Sequence, residues 1–441
     1  MWTSKMTRRQ GFRAFAGAAA GLAAAGCTQQ AAPQPGRPAM PGQPVELEFW
    51  AWVPGMDEVV ATWNRQRPDI QVHYVEVPAG ADGAYPKLYA ALEAGAVPDL
   101  VQIEFMELPN AVLNRGLVDL LPLGVSAHRH EFVDWTYEQV SFGGGVYAVP
   151  QASGPVATFY RKDLFDEWGL TPPATWEEFE RVAERVREHD AYLTTFPTNN
   201  SEVLSALCWQ AGSIWFGADE RQWVVDVDNP ATHRVTDFWQ RLIDRDLVDT
   251  IPNSGNAFYK SVQDGRIVSL LGAHWHAEVL EGNAENTAGK WAVARMPQWD
   301  AAGPVRTTNL GGSVTSVVRG SRFPAQALEF ALWLNTDPAT VSDLVVKGMG
   351  FPALADLSRV PAMDEAFGFF GGQRINDVFR ESSESVDNSW KWLPTTNQAL
   401  EHINAELQGM ASGGRSLHEI AVDAEAQIIR DLEKKGLPHR S

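Results

Sequence analysis

The sequence is poor in cysteine. Two cysteines, Cys27 and Cys208, occur in 441 residues, and Cys27 lies in an amino-terminal segment with the composition of an export signal. Since Cys208 then has no intrachain partner, a stabilising disulfide is excluded and hydrophobic burial has to hold the folded part together. Cys208 stands in the apolar stretch 206–209, which is typical of an inert thiol in a core.

Basic side chains and phosphate-binding motifs are also scarce. The chain has 36 Lys and Arg against 55 Asp and Glu, a net charge of −19. This balance disfavours a nucleic-acid partner, because phosphate contacts need a basic face. The sequence contains neither a Gly-x-Gly-x-x-Gly motif nor a P-loop, and no Gly-x-Ser-x-Gly nucleophile elbow. Nucleotide-binding and serine-hydrolase functions therefore lose their usual support.

Apolar and aromatic residues, in contrast, are plentiful. With 441 residues and 44% apolar content, the chain can fill two hydrophobic cores, so we expect two lobes. Seventeen tryptophans are many for this length, and a flat indole with one N–H donor suits the apolar face of a sugar as well as a core. Most of these rings are nevertheless expected to be core.

The first 26 residues have the pattern of an export signal. They hold no acidic side chain and end in a weakly apolar run of Ala and Gly from Ala14 to Gly26. The pair Arg8–Arg9 resembles a twin-arginine signal, with the general secretory route as the alternative. No run that could span a membrane follows. The four basic residues of the segment are Lys5, Arg8, Arg9 and Arg13.

The end of this segment, residues 24–27, reads Ala-Ala-Gly-Cys and resembles a bacterial lipobox. We therefore predict lipidation at Cys27 and a flexible tether over residues 27–44, which are rich in Gln, Pro, Ala and Gly. The folded part is then extracytoplasmic, anchored to the outer face of the cytoplasmic membrane or periplasmic. An ordinary signal peptide with an incidental cysteine is the alternative.

Strand and helix patterns alternate in the first part of the folded chain. Strands are predicted at 45–49, 70–77 and 100–103, with helices at 56–66 and 85–93 between them. This alternation predicts parallel strands with helical crossovers, hence a doubly wound α/β sheet. Ligands of such sheets meet the loops beyond the carboxyl ends of the strands, which singles out Trp50, Trp52, Glu104 and Phe105.

A helix-rich part follows from about residue 159. Thr175 and Glu178 predict a capping box for a helix that ends near Glu188, which explains the local acids without catalysis. No internal repeat is found. Further helices are predicted at 201–210, 232–245 and 324–334, and strands at 267–271, 291–295 and 312–318.

Four segments occur in a recognisable order. They are Tyr85 to Leu121, with Ala-Gly-Ala-Val-Pro-Asp-Leu inside it, Gly-Gly-Val-Tyr-Ala-Val-Pro at 144–150, Phe-Tyr-Arg-Lys-Asp-Leu-Phe at 159–165 and Thr-Trp-Glu-Glu-Phe at 175–179. The ordered set resembles the extracellular solute-binding proteins of family 1, the maltose-binding-protein-like group that serves carbohydrate ABC importers. The resemblance extends from about Leu47 to about Ile428.

This resemblance implies a periplasmic-binding-protein-like fold, with two α/β lobes joined by a multi-strand hinge and a ligand cleft between them. The expected lobes are 45–157 plus 296–336 and 158–295 plus 337–441. The implied function is to capture a carbohydrate, expected to be an oligosaccharide, and to pass it to the transmembrane subunits of an ABC importer. A monomer without cofactor, metal or catalytic residues is implied as well.

Aromatic candidates for the sugar site follow from the same resemblance. Trp275, with His276 beside it, comes directly after an apolar strand, where the family commonly places a stacking tryptophan. Trp390 and Trp392 match a late aromatic segment of the family, so one is expected to stack on the ligand and the other to be buried. Trp215 is a similar candidate, and each of these rings could instead be core.

Polar candidates come from strand ends and from the hinge. Glu104 matches an acidic or polar position of the family, with a surface glutamate as the alternative. Gln151 and Ser153 lie near the hinge, while Gly311 and Gly312 offer backbone amides or simply form a tight turn. Asn199 and Asn200 are further candidates.

Other functions stay open. His274, His276 and Glu278 alternate as metal ligands could, but two histidines without further ligands nearby predict no metal site. An exported glycoside hydrolase or lyase remains an alternative, because paired carboxylates occur in many sequences. A nutrient receptor that signals through the membrane would share the same site. A polyol or glycerol-phosphate ligand is the last alternative, and the phosphate would need Arg or Lys in the cleft.

Overall fold

The computed structural model describes residues 44–218, 222–410 and 414–441. The predicted export signal, Cys27 and nearly all of the tether lie outside these ranges. The strands, numbered in chain order, are β1 (Val45–Ala51), β2 (Ile70–Glu76), β3 (Leu100–Glu104), β4 (Ser141–Phe142), β5 (Gly145–Val146), β6 (Val149–Ser153), β7 (Val156–Arg161), β8 (Phe216–Ala218), β9 (Trp223–Val225), β10 (Ser269–Ala273), β11 (Trp291–Ala294), β12 (Ser313–Val317), β13 (Phe351–Pro352) and β14 (His439–Arg440).

Helices cover both faces of the sheets that these strands form. In chain order they are α1 (Met56–Gln66), α2 (Ala84–Ala94), α3 (Leu108–Leu113), α4 (Asp134–Gln139), α5 (Lys162–Trp168), α6 (Trp176–Arg187), α7 (Ser201–Gln210), α8 (Pro230–Asp244), α9 (Gly255–Gln263), α10 (His276–Asn283), α11 (Pro324–Thr336), α12 (Pro338–Val346), α13 (Ile375–Glu384), α14 (Thr396–Met410) and α15 (Leu417–Lys434).

The first lobe is built on a six-stranded sheet with the order β13-β6-β12-β3-β1-β2. Strand β1 pairs in parallel with β2, from Val45↔Ile70 to Ala51↔Glu76, and in parallel with β3. Helices α1 and α2 connect these strands, as parallel pairing requires. Strands β12 and β13 run antiparallel to their neighbours, so the sheet is mixed and the predicted doubly wound pattern holds for its parallel part.

Helix α1 illustrates why the crossovers are helical. Its apolar residues recur at helical spacing and are buried against the sheet. The Trp63 ring packs edge-on against Phe330, with 5.4 Å between the ring centroids, and its Nε1 donates to the Ile70 carbonyl at 2.9 Å. The predicted strands and helices of this part are confirmed to within two residues at each end. The buried apolar residues of α1 are Met56, Val59, Val60 and Trp63.

The second lobe has a smaller antiparallel sheet, β10-β7-β11, and many more helices. Trp176, at the start of α6, packs against Phe179, Phe238 and Trp239 with ring centroids between 5.2 and 5.8 Å apart. The Thr175 hydroxyl caps α6 by accepting a hydrogen bond from the Glu178 amide at 3.1 Å. The Glu178 carboxylate accepts from the Ala174 amide at 2.8 Å, one residue before the position that a capping box predicts.

The hinge is the place where the chain leaves one sheet and enters the other. Only Gly154 and Pro155 separate β6 of the first lobe from β7 of the second. The Gly154 amide donates to Asn309 Oδ1 at 2.6 Å, and the Leu310 amide donates to the Gly154 carbonyl at 2.8 Å. A Cβ at position 154 would lie 1.9 Å from the Leu310 carbonyl oxygen, so only glycine lets these two segments come so close.

The predicted lobe boundaries at residues 157, 295 and 336 remain predictions. Two elements that follow residue 336 lie against the first sheet: α12 packs on α1 and α11, and β13 pairs with β6. The antiparallel ladder beside β6 needs an edge strand, and Phe351–Pro352 provides it. Strand β13 is thus part of the first sheet, and the assignment of residues 337–441 to the second lobe stays a prediction.

Cys208 has the buried position that its apolar neighbours in the sequence predict. Cys208 is buried in α7, and burial raises the pKa of its thiol well above the usual range, so the group stays protonated and unreactive.

Within the described ranges, no helix combines the length and the apolar character that a bilayer crossing demands.

Candidate functional site

A cavity of about 600 Å³ lies between Ala81 of the first lobe and four segments of the second. These segments are the start of α7, the start of α9, the start of α10 and the first turns of α14. Helix starts point backbone amides and short polar side chains at the cavity. Its wall consists of Ala81, Asn199, Asn200, Ser201, Glu202, Asn253, Ser254, Tyr259, Trp275, His276, Val279, Asn397, Leu400, Glu401 and Asn404.

Trp275 supplies the main aromatic surface of this cavity. It follows β10 directly, its ring is half-buried, and its Nε1 donates to the Leu310 carbonyl at 3.4 Å. One face of the indole stacks on the His276 imidazole, with 3.7 Å between the centroids and 23° between the planes. Tyr259 of α9 adds a second, half-buried ring. The cavity therefore has flat apolar surfaces of the kind that sugars need.

His276 holds a fixed protonation state beside this ring. Its Nδ1 accepts a hydrogen bond from the Ala273 amide at 3.1 Å, which leaves Nε2 to carry the proton of the neutral imidazole. Burial lowers the pKa of His276 to about 4. The imidazole is therefore an uncharged stacking partner and hydrogen-bond donor at neutral pH.

Asparagine is the commonest polar residue in the wall. The Asn404 Oδ1 accepts from the Ser201 amide at 2.6 Å and so fixes the start of α7. The Asn397 Nδ2 donates to Glu107 of the first lobe, which joins the two lobes beside the cavity. The Asn199 Oδ1 is buried and has no hydrogen-bond partner within the described residues. Asn200 and Asn253 also line the cavity, where side-chain amides can bond to hydroxyl groups of a ligand.

Two carboxyl groups from different lobes approach each other here. Glu104 ends β3 and accepts a hydrogen bond from the Tyr85 hydroxyl, whereas Glu202 lies in the first turn of α7. Burial raises the pKa of Glu202 to about 8, and the nearby charge of Glu104 is the second cause. Glu202 still contacts the cavity and is only half-buried by surface area, so a ligand in the cavity can reach it.

Several predicted site residues lie around the hinge rather than in the cavity wall. Gln151 and Ser153 are buried in β6, where the Gln151 Oε1 accepts from the Ser313 hydroxyl at 2.9 Å and the Ser153 hydroxyl donates to the Phe351 carbonyl at 3.3 Å. Gly311 and Gly312 have φ of 72° and 97°, which explains the glycine pair as a left-handed turn. A Cβ on Gly311 would lie 3.6 Å from Trp275 Nε1, so this turn adjoins the Trp275 ring.

Three of the predicted tryptophans are placed in the core of the second lobe. Trp390 stacks on Trp209 with 4.9 Å between the centroids and 13° between the planes, and Trp392 packs edge-on against Trp390. The Trp215 Nε1 donates to the Thr232 hydroxyl at 2.8 Å. The exposed fractions of Trp215, Trp390 and Trp392 are 0, 0 and 4%, so these rings have no face open to a ligand in this conformation.

Trp52 and Phe105 of the first lobe do not line the cavity either. Trp52 is half-buried and its amide donates to Gln102 Oε1 at 3.0 Å. Phe105 is buried, with its ring 5.9 Å from that of Trp135. The roles of both residues in binding stay predictions.

The cavity also contains residues that the sequence did not single out: Glu202, Asn253, Tyr259, Asn397, Glu401 and Asn404. They come from three helices that lie far apart in the chain and share no motif. A usable signal was the repeated occurrence of asparagine and glutamate just before, or in the first turns of, helices α7, α9 and α14.

The histidines do not form a metal site. The His274 Nε2 is hydrogen-bonded to Asn376 Oδ1 at 2.7 Å, away from the His276 contacts given above. No group of three or more His, Cys, Asp or Glu with metal-binding geometry occurs in the described part of the chain.

A second pocket, of about 540 Å³, lies elsewhere between the lobes. Its wall is largely apolar, with Pro109, Val112, Phe142, Trp223 and Pro394. Its wall has one side-chain amide, Gln222, against the five asparagines beside Trp275, so the cavity beside Trp275 is the better candidate.

Comparison with known proteins gives a consistent picture. The family model described as bacterial extracellular solute-binding protein matches residues 51–341. An arabinooligosaccharide-binding protein from Halalkalibacterium halodurans is 24% identical over 360 residues, which cover 78% of this chain and 79% of that protein. An uncharacterized lipoprotein of Streptomyces antibioticus is 30% identical over 216 residues, 45% of either chain.

A solved structure extends this likeness to the whole fold. The galacto-N-biose/lacto-N-biose I-binding protein of an ABC transporter from Bifidobacterium longum, in complex with lacto-N-biose, superposes with a TM-score of 0.81 at 26% identity. The superposition covers 90% of this chain and 100% of that one. The predicted two-lobed α/β fold with a hinge and a cleft is confirmed.

Proposed function

Because this chain belongs to the bacterial extracellular solute-binding protein family, we propose that it captures an oligosaccharide in the cavity beside Trp275 and delivers it to an ABC importer. One observation carries the choice of site: the Trp275 and Tyr259 rings share a single cavity with five asparagines. Ring faces hold the C–H patches of a sugar, and amides orient its hydroxyls. The volume of about 600 Å³ lies in the range of ordinary ligand sites.

Closure of the lobes supplies the second half of the proposal. A ligand that contacts both lobes binds the closed form more tightly and shifts the population towards it. In the described conformation the lobes already touch, since Asn397 donates to Glu107 and the Gln139 Nε2 donates to the Trp390 carbonyl at 2.7 Å. The membrane subunits of the importer would then recognise the closed form.

The residues of the cavity also bear on the alternative ligands. Among the described residues of the wall there is no Lys or Arg, which leaves a glycerol phosphate without a partner for its charge. The family consists of binding proteins, so a sugar that enters the cavity is expected to leave it unchanged.

Calorimetry and thermal shift with a panel of mono- and oligosaccharides test this function. The expected result is binding of at least one oligosaccharide, a raised melting temperature and no new products by chromatography. Release of products from the sugar would favour the exported glycoside hydrolase or lyase instead. Failure of every carbohydrate to bind would contradict the proposed function.

Export and anchoring form a separate part of the proposal. The signal pattern of residues 1–26 and the lipobox-like end at Cys27 support a lipid-anchored protein on the outer face of the cytoplasmic membrane, and one relative is named a lipoprotein. In cells that express the full chain, labelled fatty acid should be incorporated, and Cys27→Ser should abolish it. Replacement of Arg8 and Arg9 by lysines distinguishes the twin-arginine route, which depends on this pair, from the general one.

A further inference from the structure

The cavity beside Trp275 has an unbalanced charge. Its wall contains the carboxyl groups of Glu202 and Glu401, and Glu104 of the first lobe lies close to Glu202. Within the described part of the wall no lysine or arginine balances them. His276 is neutral at pH 7 because burial lowers its pKa to about 4. A ligand that enters this space therefore meets acidic side chains and hydrogen-bond acceptors, and Glu202 among them keeps a proton at pH 7.

Glu202 is the group for which this imbalance matters most. Its carboxyl makes no hydrogen bond to another described side chain, whereas the Glu104 carboxylate is held by the Tyr85 hydroxyl. Burial without a cation in the described wall raises the pKa of Glu202 to about 8, so this group keeps a proton at pH 7 until a ligand stabilises its charge. The buried Asn199 Oδ1 in the same wall is a second acceptor without a donor.

A basic side chain of the adjoining groove serves another carboxyl group. Lys435 lines the adjoining groove, where its charge stabilises the Glu107 carboxylate. Glu107 also accepts hydrogen bonds from Tyr89, Asn110 and Asn397, so it is fully provided with partners. Glu202 and Glu107 thus differ in their partners: burial raises the pKa of both, but described side chains donate hydrogen bonds to Glu107 alone.

We infer that the oligosaccharide taken by this cavity carries a protonated amine, as in an amino sugar without an N-acetyl group, and that the amine lies against Glu202. The inference rests on the proposed carbohydrate function and specifies its ligand class. An ammonium group offers three donors and a positive charge, which would stabilise the ionised form of Glu202. A sugar hydroxyl offers one donor but no positive charge, so Glu202 would stay protonated beside it.

Titration calorimetry with matched sugars tests this inference. The protein from residue 28 onward is titrated at pH 7 with glucosamine oligosaccharides of two to four units, with their N-acetylated forms and with glucose oligosaccharides of the same linkage. The amine-bearing sugars are expected to bind at least about tenfold more tightly than both counterparts, the effect of one charge-assisted hydrogen bond in a partly desolvated site.

Two variants test whether Glu202 causes the preference for amine-bearing sugars. Glu202→Gln keeps the shape of the side chain and is expected to reduce the preference for the amine to about threefold or less, whereas Glu93→Gln on the exposed end of α2 should leave it unchanged. The melting temperature of Glu202→Gln shows that the variant is folded.

The possible results separate this inference from the proposed function. A neutral oligosaccharide that binds more tightly than every amine-bearing one overturns the inference and leaves the function standing. A preference for the amine that survives in Glu202→Gln overturns the assignment to this residue. Absence of binding by all sugars contradicts both.

Discussion

Tryptophans of the second lobe occupy two contrasting environments. Trp390 is enclosed by Trp209, Trp215 and Trp392, and its exposed fraction is 0%. Trp275 is half-buried at the wall of a cavity of about 600 Å³ and shares one face with His276. The same residue type therefore stabilises the lobe in one place and presents a surface to a ligand in the other. The neighbours of each ring decide its role, because other indoles enclose Trp390 whereas the cavity leaves part of the Trp275 ring exposed.

The contrast extends to polar residues. Thr175 makes one local hydrogen bond that stabilises the start of α6, whereas Glu202 lies in the cavity wall without a hydrogen-bonding side-chain partner among the described residues. A residue that serves stability has its bonding needs met inside the protein. A residue that serves binding has polar atoms without a partner in the protein, which lowers the stability of the folded state.

The largest effect on stability is expected for Trp390→Ala. Loss of this ring leaves a void among three other indoles, which should lower the free energy of unfolding by about 3–5 kcal/mol. Denaturant unfolding measures the change. If the variant were as stable as the wild type, the contrast between core and cavity rings would fail. An accompanying loss of sugar affinity in a folded sample would instead place Trp390 at the site.

Trp275→Ala is expected to weaken sugar binding more than it weakens the fold. Affinity for the bound sugar should fall by about 1–3 kcal/mol, the usual cost of removing an aromatic contact at the centre of a binding site. The unfolding free energy without sugar should change less than in Trp390→Ala, because the ring is only half-buried. Titration calorimetry of both variants checks this. Unchanged affinity would remove Trp275 from the site.

The pH dependence of stability sharpens the comparison for Glu202. The pKa of this group rises from 4.5 to about 8 on folding, so between these values the folded state keeps a proton that the unfolded state releases. Stability from this source is complete below pH 4.5 and is lost as the pH rises through about 8. Glu202→Gln should therefore be more stable than the wild type by about 1–2 kcal/mol at pH 8, with a much smaller difference at pH 5. Unfolding at both pH values measures this, and a pH-independent difference would contradict it.

The smallest effect is expected for Thr175→Ala. Loss of the helix cap should cost about 1 kcal/mol of unfolding free energy. Sugar affinity should stay the same, because Thr175 is not part of the cavity wall. Thr175→Ser, which keeps the hydroxyl, is the matched control. A change in affinity without a change in stability would show that the separation between structural and binding residues is too simple.

Much of the fold could be predicted because its signals are local. The apolar spacing in α1, the Thr175 cap and the alternation of strands and helices in the first 60 folded residues all depend on neighbours in the chain. Strand β12 was predicted at 312–318, but its antiparallel pairing with β3 and the short strand β13 were not, since their partners lie far away in sequence. Long-range pairing has no local pattern to reveal it.

The site was harder to predict for the same reason. Trp275 and His276 were predicted because they follow an apolar strand where the family commonly places a stacking tryptophan, and Asn199 and Asn200 were further candidates without a stated signal. Glu202 looks like an ordinary helical residue in the sequence, and Trp390 looks like a ligand platform. The structure shows the opposite for both residues. Helix α14 helps to enclose the cavity that Glu202 contacts, and other indoles bury Trp390.

The Leu310 backbone connects motion to recognition. Its amide is bonded to the Gly154 carbonyl at the crossing point of the two lobes, and its carbonyl accepts from the Trp275 indole. Rotation about the crossing point therefore shifts the atom that orients the indole. We therefore expect opening of the lobes to tilt the Trp275 ring as well, so a bound sugar would lose its contact with this ring as the cavity opens.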